Sequence, residues 1–220
     1  PFDGIALVSH LHWDHVQGIP FFTPLNRFGA RMEIVGPRQV SGDLAVAVRD
    51  CIRPPYFPVE LDALGAEFTF TEVWDTKLDR GTFRIRSLPI PHVGPTVGYR
   101  IERGTASVAY LSDHQQPGPN ATEIAPEVLE LCSGVDLLIH DAQYTDEEFD
   151  VKSDWGHCTA DYAMHVAAES GARDLVLFHH DPAHDDDMID SILLDAQRRG
   201  EGMGLRRVIA AHEGLTLTLG

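Results

Sequence analysis

Positive charge is scarce in this chain: 17 Lys and Arg residues stand against 34 Asp and Glu, for a formal net charge of −17. A protein that grips nucleic acid along its backbone needs clustered Lys and Arg. The only basic doublets are Arg198-Arg199 and Arg206-Arg207, and both read as solvated charges near a C-terminal helix and strand. No long Gly- or Lys-rich insertion offers a gripping arm. The composition therefore predicts a small-molecule substrate and no long nucleic acid partner, with a homodimer left open.

Cysteine is equally sparse. Cys51, Cys132 and Cys158 are scattered and odd in number, which excludes a disulfide framework and shows no metal-ligand spacing. A reducing cytoplasm is the expected compartment. Cys158 reads as a small filler rather than a nucleophile. No apolar run approaches the ~20 residues of a membrane span, so no membrane partner is expected. Pro1-Phe2-Asp3 leads directly into a strand-like run, which leaves no visible secretory leader.

What the chain does have is concentrated in His10-Leu11-His12-Trp13-Asp14-His15, directly after the apolar run Ile5-Ala6-Leu7-Val8-Ser9. Side chains two apart in an extended segment point to one side. His10, His12 and Asp14 are thus predicted to share a face, with His15 joining as the chain turns. Imidazoles with a carboxylate form a ligand set for borderline cations such as zinc.

Further candidate ligands stand at the C-terminal ends of β-patterned segments. His92 follows 83–91, Asp113 follows 107–112, Asp141 closes 136–140, and His179 ends 174–178; His157 sits in Trp155-Gly156-His157-Cys158-Thr159. Loops on a rigid scaffold are where catalytic groups usually lie.

Strands are predicted over 4–9, 31–35, 66–74, 81–90, 96–103, 106–112, 135–140, 174–179, 206–211 and 214–219, and helices over 15–22, 41–52, 122–133, 145–149, 159–170 and 186–199. Gly42-Asp43 opens the second helix; Thr159 caps the fifth and Gly171 ends it. Arg53-Pro54-Pro55-Tyr56-Phe57-Pro58 is predicted to be an irregular loop, because three prolines remove donors and fix φ. It is either a substrate wall or a packed surface loop.

The H-x-H-x-D-H run, the later lone His92, Ser112-Asp113 after a strand, Gly156-His157-Cys158-Thr159 and the strand-terminal His179 together resemble the metallo-β-lactamase superfamily of dinuclear metal hydrolases. The order and spacing are most similar to its phosphodiesterase branch, which includes the tRNA 3′-processing endonucleases. The resemblance runs from about Phe2 to His180 and implies an α/β fold, the αββα four-layer sandwich, with residues 1–220 forming a single metallo-hydrolase domain. Family members usually carry several strands before this motif, so the N-terminal strands are expected to be missing here.

By the same resemblance His10, His12 and His92 would hold one divalent ion, and Asp14, His15 and His179 a second, with Asp113 bridging. Zinc is expected, with Mn2+ or Fe2+ as alternatives. His180 follows His179, but the strand register favours His179 as the ligand. A water on such an ion pair loses its proton near neutral pH, and the hydroxide attacks phosphorus or a carbonyl carbon. The catalytic residues implied are Asp14, His157 as proton donor, and Asp141 as its orienting partner. His114 is left open as pocket-facing, His140 reads as a buried hydrogen-bonded residue, and His165, His184 and His212 read as without a role.

The expected activity is hydrolysis of a small or cyclic phosphodiester. The alternatives are hydrolysis of a carboxylic ester, thioester or lactone by the same metals, or a metal-loaded regulatory domain with little turnover. A di-iron redox role is disfavoured, because such relatives carry Glu at the second motif His, here His12.

Overall fold

A computed structural model describes residues 1–219. They form two compact units, one from Pro1–Trp74 with Gly94–Val97 and the other from Asp75–Val93 with the chain from Gly98 on. Both are mixed α/β, the class expected.

In the first unit, β1 (Asp3–Leu7), β2 (Ala30–Pro37) and β3 (Ala66–Val73) make a three-stranded parallel sheet in the order β1-β2-β3. Parallel pairing requires a crossover between consecutive strands. Here β1 and β2 are joined through α1 (Trp13–Val16) and two 3-10 turns, Ile19–Phe21 and Thr23–Asn26, and β2 and β3 through α2 (Leu44–Cys51). Val8, Val16, Leu25, Ile34, Leu44, Val48 and Leu61 are buried together as its core.

The helix predicted over 15–22 is only one α turn. Pro20 has no N–H to continue the ladder, and the chain closes into tighter turns, with Phe21 N–H donating to Gly18 O and Phe22 N–H to Ile19 O. α2 begins at Leu44 behind Asp43, whose side chain makes no cap bond. The first N–H of the helix, that of Leu44, donates instead to Glu72 Oε1 on β3 at 2.9 Å.

The second unit is built on a seven-stranded sheet ordered β10-β9-β8-β7-β6-β5-β4. The strands are β4 (Thr76–Arg80), β5 (Phe83–Pro89), β6 (Val97–Arg103), β7 (Ala106–Leu111), β8 (Leu137–Asp141), β9 (Asp174–Phe178) and β10 (Arg207–Ala210). β7 to β10 run parallel, whereas β6 pairs antiparallel with β7 and β4 with β5. The helices are α3 (Pro126–Cys132), α4 (Asp146–Lys152), α5 (Ala160–Ser170) and α6 (Asp186–Gly200). α3 packs on β5 and β7, α5 on β8 and β9, and α6 on β10.

β8 and β9 read Leu-Leu-Ile-His-Asp and Asp-Leu-Val-Leu-Phe, the continuous apolar runs of strands covered on both sides. α5 follows its sequence closely: Thr159 Oγ1 accepts from Tyr162 N–H at 3.1 Å, and Gly171 ends the helix at φ 68°.

β4 was not expected. It lies at the sheet edge, and Thr-Lys-Leu-Asp-Arg carries the polar composition of edge strands. Residues 214–219, expected as a strand, adopt none. No helix among the described residues is long and apolar enough to cross a membrane.

Candidate metal centre

In the first unit, Val8 N–H donates to Val35 O and Val97 N–H to Ser9 O, at 2.8 and 2.9 Å. These bonds carry the β1 direction to His10, which is buried. His10 Nδ1 lies 3.0 Å from Ser9 Oγ. Its ring is flanked by His12 and His15, with centroids 4.4 and 4.3 Å away.

The extended geometry stops sooner than the sequence suggested. His12 is already the N-cap of α1 at φ −60°, ψ 151°, so Asp14 sits on the helix rather than on a strand face. Asp14 Oδ2 lies 3.2 Å from His15 Nε2. The motif thus divides into a strand-end pair, His10 and His12, and a helical pair, Asp14 and His15.

In the second unit, register places Leu111, His140 and Leu177 side by side, with Asp141 beside Phe178. The ends of β7, β8 and β9 are therefore level, and Asp113, Asp141 and His179 emerge along one sheet edge. Asp113 is buried, and its two oxygens face different histidines: Oδ2 lies 3.8 Å from His92 Nε2, Oδ1 3.6 Å from His179 Nε2. Two ligands of one tetrahedral zinc, each at about 2.0–2.1 Å from it, lie roughly 3.4 Å apart. The ligand atoms of Asp113, His157 and His179 all fall within 4.8 Å of one another. These groups can hold a metal ion.

Surrounding bonds set the histidine tautomers. His92 Nδ1–H donates to Gly156 O at 2.7 Å, and its Nε2 is the nitrogen turned toward Asp113; a carbonyl acceptor on the other nitrogen is the usual outer-shell arrangement of a metal-binding histidine. His157 Nδ1 lies 2.7 Å from Asp141 Oδ2. The fully buried Asp141 accepts three backbone N–H bonds besides, from His114 at 3.3 Å, Gln143 at 3.1 Å and Cys158 at 3.3 Å. A carboxylate so satisfied is a fixed anchor for the imidazole. The His157 ring stacks on His179 at 5.0 Å with 15° between planes. His179 has φ 60°, a left-handed conformation uncommon outside glycine but more accessible to histidine than to most residues.

The remaining histidines divide. His140 is fully buried, its Nδ1 2.7 Å from Asp141 O, and its Nε2 lies 2.9 Å from His114 Nδ1. Burial pushes both rings below the usual histidine range. His114, left open as pocket-facing, is a fully buried member of this pair. Burial likewise pushes the Cys158 thiol well up, the opposite of what a nucleophile needs. His184, read as without a role, is 4% exposed and bonds Glu148. Its single polar-loop context in sequence carried no signal of that.

A family model described as the β-lactamase superfamily domain matches residues 2–180. Ribonuclease Z of Porphyromonas gingivalis is 26% identical over 257 aligned positions, covering 96% of this chain and 80% of the relative. Human tRNase Z, short form, superposes with a TM-score of 0.69 at 20% identity, over 98% of this chain and 79% of its own. The metallo-β-lactamase fold protein YhfI from Bacillus subtilis gives 0.67 at 20%, over 96% and 76%; these two likenesses are of fold.

The relatives overturn one expectation. Proteins named ribonuclease Z and tRNase Z act on RNA, so the expected absence of a long nucleic acid partner does not stand. Net charge sums over the whole surface, and a metal ion held by such groups would add local positive charge that the sum omits.

Proposed function

Because the chain belongs to the β-lactamase superfamily and is a metal-dependent hydrolase of the metallo-β-lactamase fold, we propose that it cleaves phosphodiesters, with His157 as the proton donor. The single observation that carries this reading is the His157–Asp141 pair, 2.7 Å apart, with His157 Nδ1 3.9 Å from Asp113 Oδ2. An ester hydrolase whose leaving group departs unaided has little use for an anchored imidazole there. An alkoxide leaving a phosphodiester needs a proton.

Residues 1–220 are proposed to act as one hydrolase domain. The metal ligands proposed are His10, His12 and His92 for one ion and Asp14, His15 and His179 for the other, with Asp113 shared. The separate facing of the two Asp113 oxygens supports the sharing. Zinc suits the imidazole-rich set, with Mn2+ or Fe2+ as alternatives. Divalent ions bound there would activate water and neutralise charge developing on phosphate oxygens.

The chain's own groups do the rest. Asp14 accepts a proton from the attacking water. Asp141 holds His157 through Nδ1, so that Nε2 is the nitrogen that hands a proton to the leaving oxygen. RNA is included among the substrates because of the matched relatives, and small or cyclic phosphodiesters undergo the same chemistry.

Elemental analysis of unchelated protein should find two ions per chain, with His10→Ala losing metal and Asp113→Ala losing more. Turnover of bis(4-nitrophenyl) phosphate and of a short RNA is expected. Turnover of lactones or thioesters with neither phosphodiester cleaved would replace this reading with an ester hydrolase.

A further inference from the structure

Between α4 and α5 the segment 153–158, which carries His157, has neither helix nor strand of its own. A loop without a backbone ladder must find other partners for its N–H and C=O groups. Two neighbouring glutamines, just past the end of β7, supply many of them. Gln115 Oε1 accepts from Gly156 N–H at 2.7 Å, and Gln115 Nε2 donates to Ser153 O at 2.7 Å. Gln116 N–H donates to His157 O at 3.1 Å, and Gln116 Oε1 accepts from Thr159 N–H and Oγ1–H, both at 3.2 Å. The backbone is therefore pinned on both sides of His157.

Gln115 does more than fill a gap. Its own N–H donates to Pro91 O at 2.7 Å, and Gly156, held by its side chain, accepts in turn from His92 Nδ1 at 2.7 Å. Three stretches of chain are tied together, and each carries one of His92, Asp113 and His157. Only a carboxamide can make the bridge, because it offers an acceptor and a donor on one carbon. A carboxylate has no proton for Ser153 O, and a cationic side chain has no lone pair for Gly156 N–H. The partners also set which end is oxygen: the nitrogen meets two carbonyls, those of Ser153 and Gln116, both at 2.7 Å.

We infer that Gln115 is a positioning residue for the proton donor. Asp141 holds the His157 ring at Nδ1 alone, and a ring held at one atom still pivots about it. Fixing the peptide before the ring removes that freedom, so that Nε2 points in one direction. The inference rests on the phosphodiester reading above, in which His157 Nε2 protonates the leaving oxygen. Gln115 acts through Gly156 and the imidazole, not on the substrate.

The test is a double-variant cycle at saturating metal, read with two leaving groups. Uridylyl-3′,5′-uridine loses an alkoxide, and bis(4-nitrophenyl) phosphate loses a phenolate that needs little protonation. Gln115→Ala should lower kcat for the dinucleotide by about 10–100-fold, the size of a misplaced catalytic group, with KM near its wild-type value. The nitrophenyl ester should lose no more than about threefold, because its departure makes little use of a general acid. In Gln115→Ala/His157→Ala the dinucleotide rate should match that of His157→Ala alone, as for residues that act as a unit. Gln115→Met keeps the length of the side chain, loses both ends of the bridge and gives the same comparison if the alanine variant does not fold. Hydrogen exchange at the Gly156 amide needs neither metal nor substrate. It should quicken by about tenfold or more in either single Gln115 variant, the size of one lost hydrogen bond.

Equal losses on the two substrates, additive losses in the double variant, or unchanged exchange at Gly156 overturns the assignment while leaving phosphodiester hydrolysis standing. Wild-type protein that cleaves only the nitrophenyl ester has no working proton donor, which also overturns it. Turnover of neither substrate overturns the phosphodiester reading itself.

Discussion

His92 and Gly156 are fitted to each other: the ring donates from Nδ1 to the Gly156 carbonyl at 2.7 Å, and a Cβ placed on Gly156 would come within 2.5 Å of that same ring. Gly156 also has φ 99°, where L side chains are strained. The glycine therefore serves two purposes, a turn only it can make and contact with the imidazole it orients. Gly156→Ala is expected to swing His92 off its position. Metal affinity should fall by about 10–100-fold, as for other outer-shell losses, in a competitive chelator titration. An unchanged affinity would show that His92 is held by something else.

His157→Ala tests proton transfer apart from metal binding. Since His157 is outside the proposed ligands, both ions should remain. Cleavage of an alkyl phosphodiester should slow by roughly 10²–10⁴-fold, the range of a general acid, and much less when nitrophenolate departs. Because His157 also lies among the ligand atoms grouped around Asp113, loss of an ion in this variant would make it a ligand instead.

The terminal ligand is settled by a pair of substitutions. His179→Ala should lose metal and activity together. His180→Ala should keep both ions, since the His180 ring bonds the Ala211 backbone. The reverse outcome in elemental analysis would shift the ligand by one residue.

Asp174 gives a pH prediction away from the site. Arg206 and Arg207 both bond its buried carboxylate, Arg206 through Nε and Nη2 at 2.7 and 2.5 Å. Hydrogen bonds from the two guanidiniums hold its carboxyl down at about 2, against an ordinary 3.8. A carboxyl depressed by folding contributes its stability fully above the unfolded value and loses it as pH falls through the folded one. Asp174→Asn should thus lower stability at neutral pH by roughly 1–2 kcal/mol, allowing for the exposed arginines. The gap between variant and wild type should close between pH ~4 and ~2 in denaturant titrations. A gap that persists at pH 2 would assign the loss to packing instead.

The strand ends carrying Asp113, Asp141 and His179 were legible in sequence because apolar runs terminated by a polar residue need no tertiary context to be recognised. The caps of α5 were legible for the same reason, since Thr159 and Gly171 act within a few residues of themselves. The break after Val16 was also written locally, in Gly18 and Pro20, although a helix was expected to run through both. Strand β4 was hidden because an edge strand can be polar, and its partner alone makes it a strand. What only the tertiary structure decided is orientation: which nitrogen of His92 bonds the Gly156 carbonyl, that His114 and His140 face each other in the core, that the His184 side chain lies almost buried against Glu148. Each depends on bonds across 26 to 64 positions of chain. The sequence alone determined where side chains of metal-binding and proton-carrying chemistry stand along the chain. Folding decided which atom of each is available, because a ring's tautomer and exposure are set by neighbours that no local pattern names.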